Sequence, residues 1–582
     1  MPDRGSTKNI RNDGPGAVLI MTLHVRFSSM RSATHLVGAA VFVAAAISGI
    51  GNARAQSVCD SFYSGNYALT EGKVNPPLAS LSKPDKGVAF SEPNFKTCMV
   101  RATSHATETK TQFVRNDYSR RQAFNADNTY FIANTGDGWW HLYDAKTLKY
   151  LRKLSPKVAN PSVSAEFHLA GDAEPQWDPT NPNFLYYVAT NGGTKLLRLD
   201  VRNNSYAIAA DFNGKLPAWG KTAAHIWTKS EGSPSADGRY WGFQVENNSF
   251  GLLGYLVWDL QQNKLVGTRQ DSNRPDHSSM SASGRWFVTS DDATGTWAWS
   301  PDFTQKKKLH AKSEHSDLAL GANGHDYYVS VDYQSNAGDV FMTDIDACPA
   351  VAASASTAPV CPRSVLFTSY INGSATALHV SGKAFSRPGW VLMGTYATSN
   401  SRDGSWPWYT NKIFAIELKA NGRVYPIAYT RANVGEYFAE PHATVSRDFT
   451  RILFNSNWGS SDVLDLDAYM IRLPVTALPG SVSPPPTTGL PTTGGNLPPL
   501  LTTAGGSNVS SGSKPSVAPS GTSTPATAVV DDDSVRIRCV LCGIPSQIRS
   551  AWQAMAGTLV QWHEAWSNKM LWDDSQASAR LN

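Results

Sequence analysis

The stretch Glu231-Gly-Ser-Pro-Ser-Ala-Asp-Gly-Arg-Tyr-Trp-Gly-Phe243 joins a polar start and an Asp-Gly-Arg turn to an alternating aromatic run. The same phrase returns as His277-Ser-Ser-Met-Ser-Ala-Ser-Gly-Arg-Trp-Phe-Val288 and, near the end of the repeats, as His442-Ala-Thr-Val-Ser-Arg-Asp-Phe-Thr-Arg-Ile-Leu-Phe454. Alternation with a period of two, interrupted by Gly or Asp turns, is typical of antiparallel β-strands. The phrase therefore predicts a β-hairpin wherever it occurs.

Seven copies of this phrase follow one another along the chain. Their first residues are Arg121, Glu174, Glu231, His277, His315, His379 and His442. The copies lie about 54 residues apart on average, and many end in a further short strand. A single unit of about four strands cannot bury both of its faces, so the repeats predict an all-β, seven-bladed β-propeller. The alternative is an all-β sandwich of unrelated hairpins.

A propeller also needs a closing contact between its first and last parts. Pro93-Asn-Phe-Lys-Thr-Cys-Met-Val-Arg101 is a strand-like run that stands before the first repeat. We expect it to pair into the last blade and close the ring.

Residues 1–55 are predicted to be a cleaved secretory signal. Two arginines precede an apolar run over Leu36–Ile50, and Ala53-Arg-Ala55 supplies a small-residue site with cleavage expected after Ala55. This run is shorter than the roughly 20 residues of a spanning helix. No later stretch reaches that length, so we expect a secreted or periplasmic protein without a transmembrane segment.

The composition narrows the class of protein further. Aromatic residues are 10% of the chain and charged residues 17%, which excludes a wholly disordered chain. The net charge of +5 comes mostly from the leader, whose six basic and two acidic residues leave a mature charge of about +1. Such a balance is not the footprint of a nucleic-acid-binding protein.

The six cysteines all follow the leader: Cys59, Cys98, Cys348, Cys361, Cys539 and Cys542. Their spacing favours three local disulfides, Cys59–Cys98, Cys348–Cys361 and Cys539–Cys542, out of the 15 pairings that six cysteines allow. The C-x-x-C spacing of the last pair is also compatible with a redox-active pair or half of a zinc site.

Changes in composition suggest five segments: the signal at 1–55, an N-terminal extension at 56–93, the propeller at 94–474, a Pro/Thr/Ser/Gly-rich linker at 475–530, and a C-terminal module at 531–582. The linker is expected to be disordered. The module is predicted to contain an amphipathic helix with several tryptophans on one stripe. That helix is expected either to dock on a partner or membrane surface, or to pack back on the propeller.

The first residues of the seven repeats are the candidate functional residues. In a propeller the innermost strands line the central channel, so residues that open these strands gather at one mouth. Four of the seven are histidines on consecutive blades, which therefore face one sector of the channel. Polar residues at these positions also tie neighbouring blades together by hydrogen bonds, so a purely structural role is the alternative.

Two kinds of chemistry fit these residue types. Histidine and glutamate at metal-ligand distance bind a divalent cation, here Mn²⁺ or Ca²⁺, as a Lewis acid. Alternatively, a metal-free histidine removes a proton next to a carboxylate, while a neighbouring cation neutralises that carboxylate. Both describe β-elimination from a uronic acid. Glycoside hydrolysis requires two carboxylates instead. Because Glu174 and Glu231 lie on neighbouring blades, hydrolysis is an alternative reaction.

A family resemblance supports the first kind of chemistry. Ser233-Pro-Ser-Ala-Asp-Gly-Arg239 and Glu440-Pro-His-Ala-Thr-Val-Ser-Arg-Asp448 look like TolB/WD40-type repeats, and the closing repeat, which continues as Arg451-Ile-Leu-Phe-Asn-Ser-Asn457, is similar to that of oligogalacturonate lyases. Those proteins are seven-bladed propellers that cleave uronide oligomers with a divalent metal held by three histidines and a glutamine.

The resemblance implies a ligand set in this chain. It places a metal ligand on His442 and puts Glu440 where the family has the first histidine of a His-x-His motif. The family's glutamine falls on Tyr437, and His277 is the best match for the remaining histidine. Other propeller lyases act on uronides through histidine and tyrosine without such a ligand set.

The sequence thus predicts a polysaccharide lyase that acts on an acidic, uronate-containing glycan. His315, His379 and Arg121 are the predicted catalytic residues, with Arg121 as a carboxylate clamp. Glu174 and Glu231 are predicted to contact the substrate, and His277, Glu440 and His442 to hold the metal. The alternative function is a non-catalytic envelope propeller that binds a glycan or a protein partner as a scaffold.

Overall fold

The computed structural model describes residues 58–63, 67–229 and 231–480, and it confirms the seven-bladed β-propeller. Seven antiparallel sheets follow one another, each with four strands or five. We number the blades 1 to 7 in chain order and call the strand nearest the central channel the innermost strand. The predicted signal, most of the predicted linker and the predicted C-terminal module lie outside the described residues.

The innermost strands of blades 1 to 7 are Val114–Arg115, Gln176–Trp177, His225–Trp227, His277–Met280, Ser316–Leu320, Ala377–Ser381 and Thr444–Val445. The second strands are Tyr130–Thr135, Phe184–Tyr187, Tyr240–Glu246, Phe287–Asp291, Asp326–Asp332, Trp390–Tyr396 and Arg451–Ser456. The third strands are Trp140–Asp144, Lys195–Asp200, Leu252–Asp259, Gly295–Trp299, Asp339–Asp344, Lys412–Glu417 and Asp467–Arg472. The outer strands are Tyr150–Lys153, Ser205–Asp211, Lys264–Gln270, Gln305–His310 with Val351–Ala352, Ser364–Thr368, Val424–Tyr429, and Cys98–Arg101 with Phe90–Ser91.

Helical structure among the described residues is short and lies in loops. The helical turns are His105–Thr109, Pro156–Ala159, Ala165–Phe167, Ala218–Gly220 and Tyr437–Ala439. None of the helices in this part of the chain has the length and apolar character needed to cross a lipid bilayer.

Blade 7 closes the ring with strands from both ends of the propeller, as predicted. Cys98–Arg101 pairs antiparallel with Asp467–Arg472, and Cys98 lies opposite Arg472. Phe90–Ser91 then adds a fifth strand at the outer edge. A shared blade leaves no exposed seam between the first and last repeats, which is how a propeller avoids an open sheet edge.

Two of the predicted disulfides are formed. Cys59 and Cys98 bond with their Cα atoms 6.1 Å apart, so the segment before the propeller is tied to the closing strand. Cys348 and Cys361 bond with a Cα separation of 5.4 Å and staple the loop that covers the outer edge of blade 4. The third predicted pair, Cys539 and Cys542, lies outside the described residues.

The beginning of the predicted linker is ordered against blade 6. Arg387 donates hydrogen bonds to the carbonyl oxygens of Val475, Leu478 and Gly480. Leu478 is also buried in the core that blades 6 and 7 share. Residues 475–480 therefore belong to the propeller surface, because these carbonyls have a fixed cationic partner.

The two ends of the channel differ in their side chains. Where the innermost strands begin, histidines and acidic residues collect, and we call this end the mouth. We call the end where these strands finish the far end. It contains a buried apolar cluster of Ala236, Ala282, Leu320 and Phe385, and the buried Lys383 follows the innermost strand of blade 6. Arg447 packs over the Phe385 ring at 5.4 Å and donates to the Ala236 carbonyl oxygen.

Candidate active site

The mouth of the channel brings together three of the four predicted histidines. His315 comes just before the innermost strand of blade 5, His379 lies within that of blade 6, and His442 precedes that of blade 7. The ring centroids of His315 and His379 are 4.7 Å apart, and those of His379 and His442 are 4.6 Å apart. Because the three blades are consecutive, their strand starts stack these rings in one sector.

Glu440 lies between His379 and His442. Its Oε2 atom is 3.4 Å from Nε2 of His379 and 3.3 Å from Nε2 of His442. Both nitrogens are buried and complete no hydrogen bond. Burial raises the pKa of Glu440 to about 8, although the Tyr396 hydroxyl bonds to this carboxyl. The group is therefore a set of three potential metal ligands within 4.8 Å of one another.

Burial also keeps the histidines of the mouth neutral. It lowers the pKa of His379 and of His442 well below the usual value, and neighbouring positive charge adds to this effect. The pKa of His315 is lowered by burial as well. Neutral imidazole is the form that binds a metal ion or accepts a proton.

His315 has a defined tautomer. Its Nδ1 atom lies 2.7 Å from the carbonyl oxygen of Leu378, and because a carbonyl only accepts, Nδ1 carries the proton. The Nε2 atom of the neutral ring is therefore an unprotonated acceptor. His315 is also only half-buried, so it combines the chemistry of a general base with access from the mouth.

His277 lies apart from this group, although it opens the innermost strand of blade 4. Its Nδ1 atom is 3.6 Å from Asp276 and 3.9 Å from Glu231. The structure thus places His379, rather than His277, beside Glu440 and His442. Blade 6 is next to blade 7, which carries Glu440 and His442, whereas blades 5 and 6 separate blade 4 from blade 7. The order of the blades therefore favours His379 over His277, and the sequence interpretation did not use it.

A loop of blade 1 fills the centre of the mouth. Residues 116–122 interrupt the innermost strand between Val114–Arg115 and Phe124, which bridges to Phe131. The Tyr118 ring in this loop lies 5.1 Å from the rings of both His379 and His442. The stacked histidines are therefore covered from the channel side by one tyrosine.

Arg120 crosses the channel from the same loop. It donates to Glu231 Oε2 at 2.6 Å and to the carbonyl and hydroxyl oxygens of Ser316. Blade 1 is thereby joined to blades 3 and 5. Sequence reasoning missed Arg120 because the inserted loop does not follow the repeat register.

The predicted residue Arg121 points elsewhere. Its Nε donates to Asp117 at 2.9 Å and its Nη1 to the carbonyl oxygen of Pro175 at 3.3 Å. The side chain also lies over the Trp140 ring. Arg121 therefore lies between blades 1 and 2, outside the histidine group.

The two predicted substrate-contacting glutamates have different surroundings. Glu174 is buried and accepts hydrogen bonds from the backbone N–H of Thr228 at 2.9 and 3.0 Å. Glu231 is partly exposed at the mouth and holds Arg120. The next residue is Gly232, and a Cβ atom at this position would lie 2.0 Å from the Ser278 carbonyl oxygen. Only glycine therefore lets this turn pack against blade 4.

Arg115 is a second residue that sequence reasoning missed. Its Nη1 lies 3.4 Å from Nδ1 of His442 and also donates to the carbonyl oxygens of Asn116 and Asp117. Because a guanidinium only donates, His442 Nδ1 accepts, and the proton of the neutral ring lies on Nε2. Burial lowers the pKa of Arg115.

Two other groups in the described part of the chain have metal-like spacing, but both are neutralised by basic side chains. In one group, Asp465 and Asp467 beside His105 are paired with Lys83 and Arg101. The second consists of His325, Asp344 and Asp346, and Arg285 binds Asp346. The His379/Glu440/His442 group has no such carboxylate–cation pair among the described residues.

Comparison with known proteins gives similarity of fold at low identity. No protein-family model matches the chain, and no curated protein matches it. An oligogalacturonate lyase in complex with manganese is 12% identical in sequence and superposes with a TM-score of 0.43. The matched region spans 71% of this chain and 98% of the lyase chain. An oligogalacturonate lyase from Vibrio parahaemolyticus is 11% identical, covers 68% of this chain and 100% of its own, with a TM-score of 0.43. The fold assignment itself rests on the seven sheets described above.

Proposed function

We propose that this protein is a polysaccharide lyase that cleaves an acidic, uronate-containing glycan by β-elimination at the mouth of its propeller channel. The observation that supports this most is the group formed by His379, Glu440 and His442, in which the buried Nε2 atoms of both histidines lack hydrogen-bond partners. A neutral histidine with a free nitrogen, His315, is stacked on the same group. Structural histidines are normally hydrogen-bonded when buried.

The donor set of this group fits a divalent transition-metal ion better than Ca²⁺. Imidazole nitrogens suit transition-metal ions and a carboxylate oxygen also suits Mn²⁺, whereas Ca²⁺ prefers oxygen ligands alone. His379, Glu440 and His442 would hold the ion, which would supply Lewis-acid stabilisation of charge on the substrate carboxylate. Binding requires Glu440 to release its proton and the ring proton of His442 to move from Nε2 to Nδ1.

His315 is the proposed general base. Its Nε2 takes the proton at C5 of the uronate, the C5–H electron pair forms the C4–C5 double bond, and the C4–oxygen bond breaks. The leaving oxygen takes up a proton, so the reaction involves no oxidation or reduction. Guanidinium groups at the mouth stabilise the negative charge that develops at the carboxylate.

A secreted or periplasmic location is part of the proposal. Disulfides persist in oxidising compartments, and the two that are formed agree with the predicted leader. Polymeric acidic glycans are substrates outside the cytoplasm, so the location and the reaction are compatible.

The experiment is an ultraviolet assay for the conjugated double bond of the unsaturated product. The chain from Gln56 onward is incubated with a panel of uronate polymers, with Mn²⁺, with Ca²⁺ and with EDTA. Product that EDTA abolishes supports the metal-assisted reaction, and product that EDTA does not affect supports a metal-free histidine base. Folded protein that yields no product on any polymer contradicts the proposal and favours the glycan- or protein-binding scaffold.

A further inference from the structure

One arginine at the mouth is not paired with an acidic side chain. Arg120 is bound by Glu231 and Arg121 by Asp117. For Arg115, no carboxylate of the described residues lies within ion-pair distance, although its side chain is only 6% exposed. Buried charges are ordinarily paired, because an isolated charge in a low-dielectric interior is costly.

The backbone contacts of Arg115 do not explain its burial. The two carbonyl oxygens that it contacts belong to Asn116 and Asp117, the next two residues of the chain. By contrast, Arg387 binds carbonyl oxygens about 90 residues further along and ties down a distant segment. The carbonyl contacts of Arg115 join no distant segments of the chain. A purely structural role therefore accounts for little of the free-energy cost of burying its guanidinium.

The surroundings of Arg115 are suited to an anionic ligand. Its guanidinium lies 4.8 Å from the centre of the Phe438 ring, 5.7 Å from Phe113 and 5.9 Å from Tyr437. Its Nε–H is buried without a hydrogen-bond partner. Aromatic walls keep water away and strengthen the attraction between opposite charges. A planar guanidinium also matches the geometry of a carboxylate.

We infer that Arg115 binds the acidic group of the ligand and is the residue that selects an acidic sugar over a neutral one. The inference rests on the proposed function for the identity of the ligand, a uronate carboxylate beside His442. It transfers to Arg115 the role that the sequence had suggested for Arg121. Arg115 then contacts substrate, whereas Arg120 and Arg121 position the loop that follows it.

Binding of a monosaccharide tests this inference without catalysis. Galacturonate has no glycosidic bond to eliminate, and its methyl ester has the same ring and hydroxyl groups without the negative charge. We expect wild-type protein to prefer the acid, and Arg115→Gln to reduce that preference at least tenfold, as expected for loss of one charged hydrogen-bonding partner. Arg115→Lys should restore part of the preference, and the control Arg387→Gln should retain all of it.

The outcomes separate this inference from the lyase proposal. An unchanged preference in Arg115→Gln, or no preference in the wild type, overturns the role of Arg115. If wild-type protein prefers the acid but forms no unsaturated product from any polymer, the lyase proposal fails while the role of Arg115 stands. A sulfated neutral sugar that competes better than galacturonate would identify sulfate as the recognised group and overturn the carboxylate assignment.

A second measurement covers the case in which Arg115→Gln does not fold. In protein labelled with ¹⁵N-arginine, the Nε–H resonance that disappears in Arg115→Lys belongs to Arg115. Galacturonate should shift this resonance in the wild type, and the methyl ester should not. No shift at saturating galacturonate overturns the inference.

Discussion

The two ends of the channel are built from the same seven innermost strands but collect different kinds of side chain. At the far end, Phe385 and Leu320 pack with small residues, and Arg447 donates to the Ala236 carbonyl oxygen. At the mouth, His379 and His442 have buried nitrogens without partners. An interior normally satisfies its polar groups. Arg447 at the far end also has a buried Nε without a partner, so what distinguishes the mouth is its neutral histidines beside the Glu440 carboxyl, and the proposed ligand site lies there.

The largest expected effect is on turnover, at the mouth. His315→Ala should lower the rate of unsaturated-product formation by about 10²–10⁴-fold, because it removes the proposed base. Its free energy of unfolding should fall by only about 1 kcal/mol, for one lost hydrogen bond to the Leu378 carbonyl. The control is His325→Ala, whose ring pairs with Asp344 outside the mouth. Wild-type turnover in His315→Ala would contradict the assignment.

The far end should show the opposite behaviour. Phe385→Ala should lower the free energy of unfolding by about 3–5 kcal/mol, because it removes the largest side chain of a buried cluster. Turnover per folded molecule should stay unchanged. Urea denaturation measures the first quantity, and Val360→Ala, at a residue that is 50% exposed, is the control. A selective loss of turnover in Phe385→Ala would remove the distinction between the two ends.

Metal affinity distinguishes the mouth from the other acidic groups. Glu440→Gln should weaken Mn²⁺ binding at least tenfold, since even residues that only support metal ligands contribute about 10–100-fold. Asp344→Asn should leave the affinity unchanged, because in that group His325 is paired with Asp344 and Arg285 already binds Asp346. Isothermal titration calorimetry measures both. Equal Mn²⁺ affinities in wild type and Glu440→Gln would exclude this carboxylate as a ligand.

The smallest effect is on the pH dependence of stability. Burial raises the pKa of Glu314 at the mouth to about 7, above its value in the unfolded chain. The folded state therefore binds more protons between those two values, and this contribution to stability is lost as pH rises toward 7. Glu314→Gln should flatten the fall of Tm between about pH 4.5 and 7. An unchanged slope would show that Glu314 titrates normally.

The repeat pattern was sufficient to predict the fold, but only part of the arrangement at the mouth. Period-two alternation with turn residues fixes where hairpins form, and the run around Cys98 was correctly expected to close blade 7. The position of Arg120 was not predictable, because an inserted loop breaks the register and neighbouring residues point to opposite sides. Arg120 thus enters the channel while Arg121 lies between two blades.

The grouping of the histidines illustrates the same limit. Residue type and strand position drew attention to His379 and His442, but contact between them depends on which blades are neighbours. The association of Glu440 with His379 instead of His277 follows from ring geometry. Burial, which leaves imidazole nitrogens without partners, is a property of the folded molecule and has no signature in the local sequence.

The shared last blade has a consequence for the order of events during synthesis. Strand Cys98–Arg101 is made early, yet its partner Asp467–Arg472 emerges some 370 residues later. Until then the early strand has an unsatisfied edge that is able to pair with other chains. The Cys59–Cys98 bond spans only 39 residues, so it is able to form first and hold that strand in place while the remaining blades are still being delivered.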